Sequence, residues 1–356
     1  MRAWAVVENG KPLKEIELPT PEPQGTEVLL EVTHCGVCHS DLHIWEGYYD
    51  IGGGQKMSLL DRGVTLPLAM GHEIVGRVVK LGPEAKGVKV GDLRIVFPWL
   101  GCGKCDKCLN EEDNMCAVAA RSLGVYQNGG YGSHVVAPHP RHLVDPGTLD
   151  PAIAATYACS GITVYSAIKK CMPLAPTQPI VLVGAGGLGL NAIAVLRALK
   201  HQNIITVDVS EEKRQAALKA GATKVVDGNG DGPTVSKRII DAAGGPVPAV
   251  VDLVNGTATA RFAFGALGKG GKLVQVGLFG GELMLPLPIM AIRALTVQGS
   301  YVGNPKELRE LVKLAQDGEL PALPVQTVPQ SQAYDALMRL RDGKVTGRLI
   351  LKAEAA

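Results

Sequence analysis

Apolar and polar residues alternate in short runs through about the first 150 positions, with Gly or Pro breaking the pattern every few residues. Glu27–Val32 and Gly76–Val79 are two such runs. A period of two predicts half-buried strands, so this part is expected to be β-rich. From about residue 161 the pattern changes. The short apolar runs Ile180–Val183, Ile204–Val207, Val225–Val226, Ala249–Leu253 and Lys272–Val276 read as buried strands, and Leu188–Lys200 and Glu211–Ala220 read as helices between them. Strand–helix alternation of this kind predicts a parallel, doubly wound sheet. Past residue 302 the pattern is mixed again, with Asn304–Asp317 helical and Arg348–Lys352 a last strand. The expected α/β organisation is a first domain over 1–160, a second over 161–301, and a return to the first over 302–356.

Composition narrows the function classes. With 20% charged residues, 46% hydrophobic residues and a net charge of +2, the chain has neither the basic excess of a nucleic-acid binder nor an acidic tail. Met1–Val7 lacks the long apolar stretch of a secretory signal. The uncharged run Cys171–Leu196 is longer than a membrane span, but Pro173, Pro176, Pro179 and a glycine cluster divide it into loop, strand, turn and helix start. No membrane association is expected. Six of the eight cysteines fall in candidate metal sites, and Cys35 and Cys171 read as small buried hydrophobes. Thiolate sites point to a reducing compartment, the cytoplasm.

The strongest chemical signal is C-G-K-C-D-K-C-x7-C, which sets Cys102, Cys105, Cys108 and Cys116 at zinc-ligand spacing. Four thiolates close a tetrahedral site and leave no position for substrate, so this zinc is expected to be structural. Next comes G-x-G-x-x-G at Gly184, Gly186 and Gly189, directly after a predicted strand and opening a predicted helix. Those glycines allow a tight turn and close approach of a pyrophosphate to the helix N-terminus. Asp208 ends the following strand, where a carboxylate accepts from the adenosine ribose hydroxyls and repels a 2′-phosphate. NAD is therefore expected over NADP. Lys213 reads as a ribose neighbour or as an exposed helix lysine.

Three further segments hold metal-binding residue types: Cys38-His39-Ser40-Asp41-Leu42-His43, Gly71-His72-Glu73, and Cys159. With the cysteine loop and the glycine turn, they make the chain resemble the zinc-dependent medium-chain alcohol dehydrogenases over essentially its full length. Gly71-His-Glu-x2-Gly76-x5-Gly82 is similar to that family's zinc signature, and Cys159-Ser-Gly-Ile-Thr163 to the segment of its third ligand. Gly277-Leu278-Phe279 and Gly299-Ser300-Tyr301-Val302-Gly303 fall where the family lines its nicotinamide pocket. The chain lacks the long insertion of the dimeric animal and plant enzymes and so resembles the tetrameric bacterial and archaeal branch.

The resemblance implies a GroES-like catalytic domain, a Rossmann domain, a homotetramer, and two zinc ions per chain beside NAD. Cys38, His72 and Cys159 would hold the catalytic zinc with one position open, Ser40 and His43 would relay the proton, and Asp41 and Glu73 would stand behind the ligands. One of the two carboxylates would orient His72. Cofactor contacts would come from His39, Thr163, Gly184, Gly186, Gly187, Leu188, Gly189, Asp208, Lys213, Val276, Leu278, Ser300, Val302 and Arg348. His39 and Arg348 would serve the pyrophosphate. Tyr49, Trp99 and Leu278 would wall the substrate pocket, with Trp99 equally readable as core and Trp45 read as core. Apolar walls imply uncharged primary or secondary alcohols, aromatic ones included. Asp50–Thr65, with three consecutive glycines, reads as a mobile segment that is either a lid at the pocket mouth or a subunit contact. The competing readings are a dehydrogenase for a more elaborate hydroxy-metabolite and a non-catalytic zinc- and nucleotide-binding protein.

Overall fold

A computed structural model describes residues 1–354. The six parallel strands of the second half stand in the order Lys224–Asp227, Ile204–Asp208, Ile180–Val183, Val247–Asp252, Leu267–Gln275, Thr296–Gly299. The order reverses beside Ile180–Val183, and that switch point is where a doubly wound sheet opens a crevice at the carboxyl ends of its strands. Its central strands are buried on both faces, which is why they read as unbroken apolar runs.

The first half builds a mostly antiparallel sheet in the order Leu143–Val144, Leu93–Val96, Glu73–Leu81, Val28–Gly36, Arg348–Lys352, Val325–Pro329, in which the last two strands run parallel, and His134–Ala137 also pairs with Val28–Gly36. The last strand therefore lies against one of the earliest, with Leu351 opposite Cys35. Pro305–Gln316 is a helix as its periodicity predicts, but Asn304 is its N-cap. The Asn304 side chain accepts from Glu307 N–H while the Glu307 carboxylate accepts from Asn304 N–H, satisfying two otherwise orphaned donors.

Of the helical segments that the sequence reading did not name, two position the site. His39–Glu46 begins at Cys38 and ends on Gly47 in the left-handed region. Pro151–Cys171 is a long apolar helical run, 89% buried within the protein, that joins the two halves. Among the described residues it is the one helix long and apolar enough to cross a membrane, and its burial marks it as core. Its middle turn, Tyr157–Gly161, is π-helical. Nothing in an apolar run signals a π turn, which commonly marks a functional position.

Candidate active site

Cys38, His72 and Cys159 come from three separate segments and converge so that their ligand atoms all lie within 4.8 Å of one another. Each is placed by its local structure. Cys38 caps the His39–Glu46 helix, its N–H donating to Asp41 Oδ2 at 2.9 Å. His72 immediately precedes the strand Glu73–Leu81. Cys159 sits at the centre of the π turn.

The Cys38 and Cys159 sulfurs are 3.9 Å apart. Sulfurs about 2.3 Å from one tetrahedral zinc ion stand about 3.8 Å from each other, so the pair has zinc spacing and is far outside disulfide length. Asp41 Oδ1 faces His72 Nδ1 at 3.3 Å, an electrostatic contact whose angles fall short of a hydrogen bond. His72 Nε2 is buried without any partner. An orphaned imidazole nitrogen beside two thiols is the donor set a zinc ion takes, and one tetrahedral position is left over. Hydrogen bonding between the two thiols pulls Cys38 well below the usual thiol range and pushes Cys159 well above it. Burial alone would lower the His72 imidazole, but Asp41 and Cys38 outweigh burial and raise it.

Glu73 lies behind this cluster. Its Oε1 accepts from Ser160 N–H at 3.1 Å and pairs with the buried Arg348 guanidinium. Burial raises the Glu73 carboxyl despite that partner. Gly36 must be glycine here, because a Cβ would stand 1.9 Å from Glu73 Oε2. Of the two carboxylates, then, Asp41 faces the imidazole and Glu73 holds Arg348. Arg348 also packs on the glycine turn, its Cδ 2.6 Å from where a Gly187 Cβ would be. One side chain thereby links the metal-ligand cluster to the cofactor turn.

At that turn, Gly184 has φ +98°, and a Cβ on Gly189 would meet the Gly184 carbonyl oxygen at 2.1 Å. Gly186 opens onto empty space, and the helix Gly187–Ala198 begins with no side-chain cap. Uncapped N–H groups beside an open glycine suit a pyrophosphate. Asp208 accepts from Ala185 N–H at 2.8 Å and Ser210 N–H at 2.9 Å, leaving lone pairs free for ribose hydroxyls. Lys213 lies in the first turn of Glu211–Ala220, and Leu188 is half-buried in the first turn of its own helix. Thr163 Oγ1 and Ser300 Oγ are buried without partners, Val276 and Val302 are buried, and Leu278 is 48% exposed.

Ser40 Oγ is 3.9 Å from Cys38 Sγ. His43, one turn on, is half-buried with its ring 5.0 Å from Tyr49, and its Nδ1 is 3.8 Å from Glu46 Oε2 at the surface. Burial holds the His43 imidazole below its ordinary 6.5. His39 is open to solvent on the first turn of the same helix. Trp99 is buried: its indole N–H donates to Ala158 O at 3.0 Å, and its ring stands 5.0 Å from His72 and 5.9 Å from Tyr301. Trp45 is core, donating to Lys11 O. The 50–65 segment contains an ordered hairpin, Tyr48–Asp50 with Lys56–Ser58, in which Tyr49 pairs with Met57. Its glycine turn abuts the second half: a Cβ on Gly52 would meet Gly281 O at 2.9 Å.

Cys102, Cys105, Cys108 and Cys116 also cluster, their sulfurs all within 4.8 Å of one another. Cys105 is 3.6 Å from Cys108 and 3.8 Å from Cys116, and Cys102 is 4.0 Å from Cys108, again the spacing of sulfurs on one zinc ion. Burial pushes Cys116 up, yet backbone N–H groups of Ala119, Cys102 and Val118 bring it down to about 6. Sequence reasoning missed Tyr131, whose hydroxyl donates to Asp41 Oδ2 at 3.3 Å, and Asn191, which donates to Ser160 Oγ at 2.9 Å. Neither stands in a recognisable motif.

Residues 24–146 match the alcohol dehydrogenase GroES-like domain family, and residues 187–317 match the zinc-binding dehydrogenase family. NAD-dependent alcohol dehydrogenases of Sulfurisphaera tokodaii and Saccharolobus solfataricus are each 38% identical over 352 residues, covering 99% of this chain and 99% of the relative. The crystal structure of an alcohol dehydrogenase from Aeropyrum pernix superposes with a TM-score of 0.89 at 31% identity, covering 99% of this chain and 100% of that one.

Proposed function

The chain belongs to the zinc-dependent medium-chain alcohol dehydrogenase family, and from that premise we propose how it works. It is an NAD-dependent zinc alcohol dehydrogenase that reversibly oxidises primary and secondary alcohols, aromatic ones included, to aldehydes and ketones. The observation that carries the reading is the buried Cys38–His72–Cys159 set, one ligand short of a closed tetrahedron and linked through Arg348 to an open glycine turn.

When bound, zinc would polarise the alcohol oxygen and NAD would accept the hydride. The chain's own residues do the rest. Two thiolates and a neutral imidazole balance a dication, so the Lewis acidity is kept without excess local charge. Ser40 Oγ accepts the alcohol proton as it gives up its own hydroxyl proton toward His43, which, neutral because burial lowers it, takes up a proton and releases one toward solvent beside Glu46. Asp41 orients His72, and Glu73 fixes Arg348 for the pyrophosphate together with His39 and the Gly184–Gly189 turn. Asp208 and Lys213 take the adenosine ribose, while Thr163, Val276, Leu278, Ser300 and Val302 surround the nicotinamide. Tyr49, Trp99 and Leu278 wall the alcohol, which favours apolar substrates over polyols. Cys102, Cys105, Cys108 and Cys116 hold the structural zinc.

The catalytic unit is 1–160 with 302–356, and the NAD-binding unit is 161–301. A homotetramer is supported by large exposed apolar side chains in two stretches of the chain, Phe279, Met284, Leu287 and Ile292 before the edge strand Thr296–Gly299, and Leu109, Met115 and Val118 on the cysteine loop. Dihedral tetramers need more than one self-complementary contact, and large exposed apolar groups are what such contacts bury. Eight unpaired cysteines suit the cytoplasm.

The test is NAD reduction, followed by absorbance, on zinc-replete protein with linear, branched, cyclic and benzylic alcohols, repeated with NADP. Turnover with NAD is expected. Full zinc and tight NAD binding without turnover on any alcohol would overturn the reading.

A further inference from the structure

Val302 has φ +40°, a conformation that a β-branched residue reaches only under strain and that persists only where its surroundings over-determine it. The chain on either side is well held. Ser300 N–H donates to Gln275 O at 2.9 Å, and Asn304 is locked in the capping box of Pro305–Gln316. Between them, one hydrogen bond reaches the backbone of residues 301–303 among the described residues: Asn114 Nδ2–H donates to Tyr301 O at 3.0 Å.

Asn114 belongs to the cysteine loop, in the short turn Asp113–Met115 just before Cys116. That turn is bolted to the first half through the buried Asp113, whose Oδ1 accepts from Arg141 at 2.6 Å and lies 3.2 Å from His142 Nε2. Arg141 also donates to Cys108 O at 2.8 Å. The loop therefore offers the Asn114 amide from a fixed platform. What it holds is a wall of the active site: the Tyr301 ring, 53% exposed in the cleft, stands edge-on to Trp99 at 5.9 Å, and Trp99 covers His72 at 5.0 Å.

We propose that Asn114 is a positioning residue, through which the four-cysteine loop holds Tyr301 and Val302 in the strained conformation that shapes the nicotinamide and alcohol pocket. The proposal rests on the alcohol dehydrogenase reading above. It gives the loop a second task beside folding, because its Asp113-anchored turn sets a residue 187 positions away. Loss of the amide donor lets residues 301–303 relax toward an unstrained backbone, moving the pocket wall while the metal ligands stay in place.

The test is Asn114→Ala and the isosteric Asn114→Asp in the full-length zinc-loaded protein. Readouts are the Kd for NADH by fluorescence, KM and kcat for one alcohol, zinc content and Tm. Both variants are expected to raise Kd for NADH and KM by about 3- to 10-fold, the factor one hydrogen bond is worth, with kcat within about twofold. Zinc content and Tm should stay at the wild-type values. Asn114→Gln, which keeps an amide donor on a longer arm, should recover part of the loss. Arg309→Ala, which breaks the other link from the loop to the second half, the ion pair with Glu111, should leave KM unchanged. Unchanged Kd and KM in both Asn114 variants would overturn the proposal. So would losses that track zinc and Tm, which would make Asn114 a fold staple only. Wild-type protein that binds NADH but turns over no alcohol would instead count against the reaction reading, and the NADH titration of the variants would still decide the role of Asn114.

Discussion

Cys102 and Cys116, the outermost sulfurs of the cysteine loop, are 14 residues apart, whereas Cys38 and Cys159 are separated by 121. Both clusters reach nearly the same sulfur spacing, 3.6–4.0 Å in the loop and 3.9 Å in the cleft. The loop gathers its sulfurs by short-range chain closure, with backbone N–H groups such as that of Cys102 directed at Cys116. Closing so short a loop costs little entropy, and the bound metal returns that cost as folding free energy. The cleft cluster has no local means of closing. It depends on a helix cap, a strand end and a π turn brought together by the core, and on buried groups that the metal and substrate alone would satisfy. On the reading proposed above, the first arrangement serves stability and the second chemistry.

Cys159→Ala should separate the two regions most sharply: turnover should be abolished and about one zinc per chain lost, with Tm nearly unchanged. Metal analysis beside a melting curve checks this, and an unchanged kcat would dissolve the distinction. Cys108→Ala should do the reverse, losing the other zinc with a fall of roughly 10 °C in Tm, while folded molecules keep kcat within about threefold. A variant with wild-type Tm and no activity would mean that the loop acts on chemistry more than on folding.

Asp208→Gly asks how far the long-range site extends along the cofactor. The KM for NAD should rise by about tenfold and the preference over NADP should shrink. An unaltered cofactor ratio would limit Asp208 to capping its own turn. The smallest effect is expected from His43→Gln. Burial lowers the imidazole below 6.5, so at neutral pH it is uncharged and able to accept a proton. The rate should drop by about 5- to 10-fold below neutral to mildly alkaline pH, where proton removal limits, and converge with wild type in alkali. An unchanged pH–rate profile would remove His43 from the relay.

Legibility followed the same division. The strands read at Ile180–Val183 and Ile204–Val207 and the helix Glu211–Ala220 were plain because short apolar runs alternate there with a stretch of helix formers whose ends are marked by Ser210 and Gly221. The cysteine loop and glycine turn were equally plain, since ligands and turn residues there act on near neighbours. Pro151–Cys171 was not, because an all-round apolar run has no period to read. Cys38, His72 and Cys159 could be grouped through family resemblance, while Tyr131, Asn191 and Asn114 lie outside any motif.

The sequence by itself determined the parallel sheet of the second half, the cysteine loop, the cofactor turn and the residues able to bind metal, because each depends on spacing within a few positions. Only the tertiary structure decided that Asp41 faces His72 while Glu73 holds Arg348, that Cys159 rides a π turn, and that Val302 is held in the left-handed region. Those features join residues as many as 275 positions apart. Burial and packing fix them, and neither has a local period to leave in the chain.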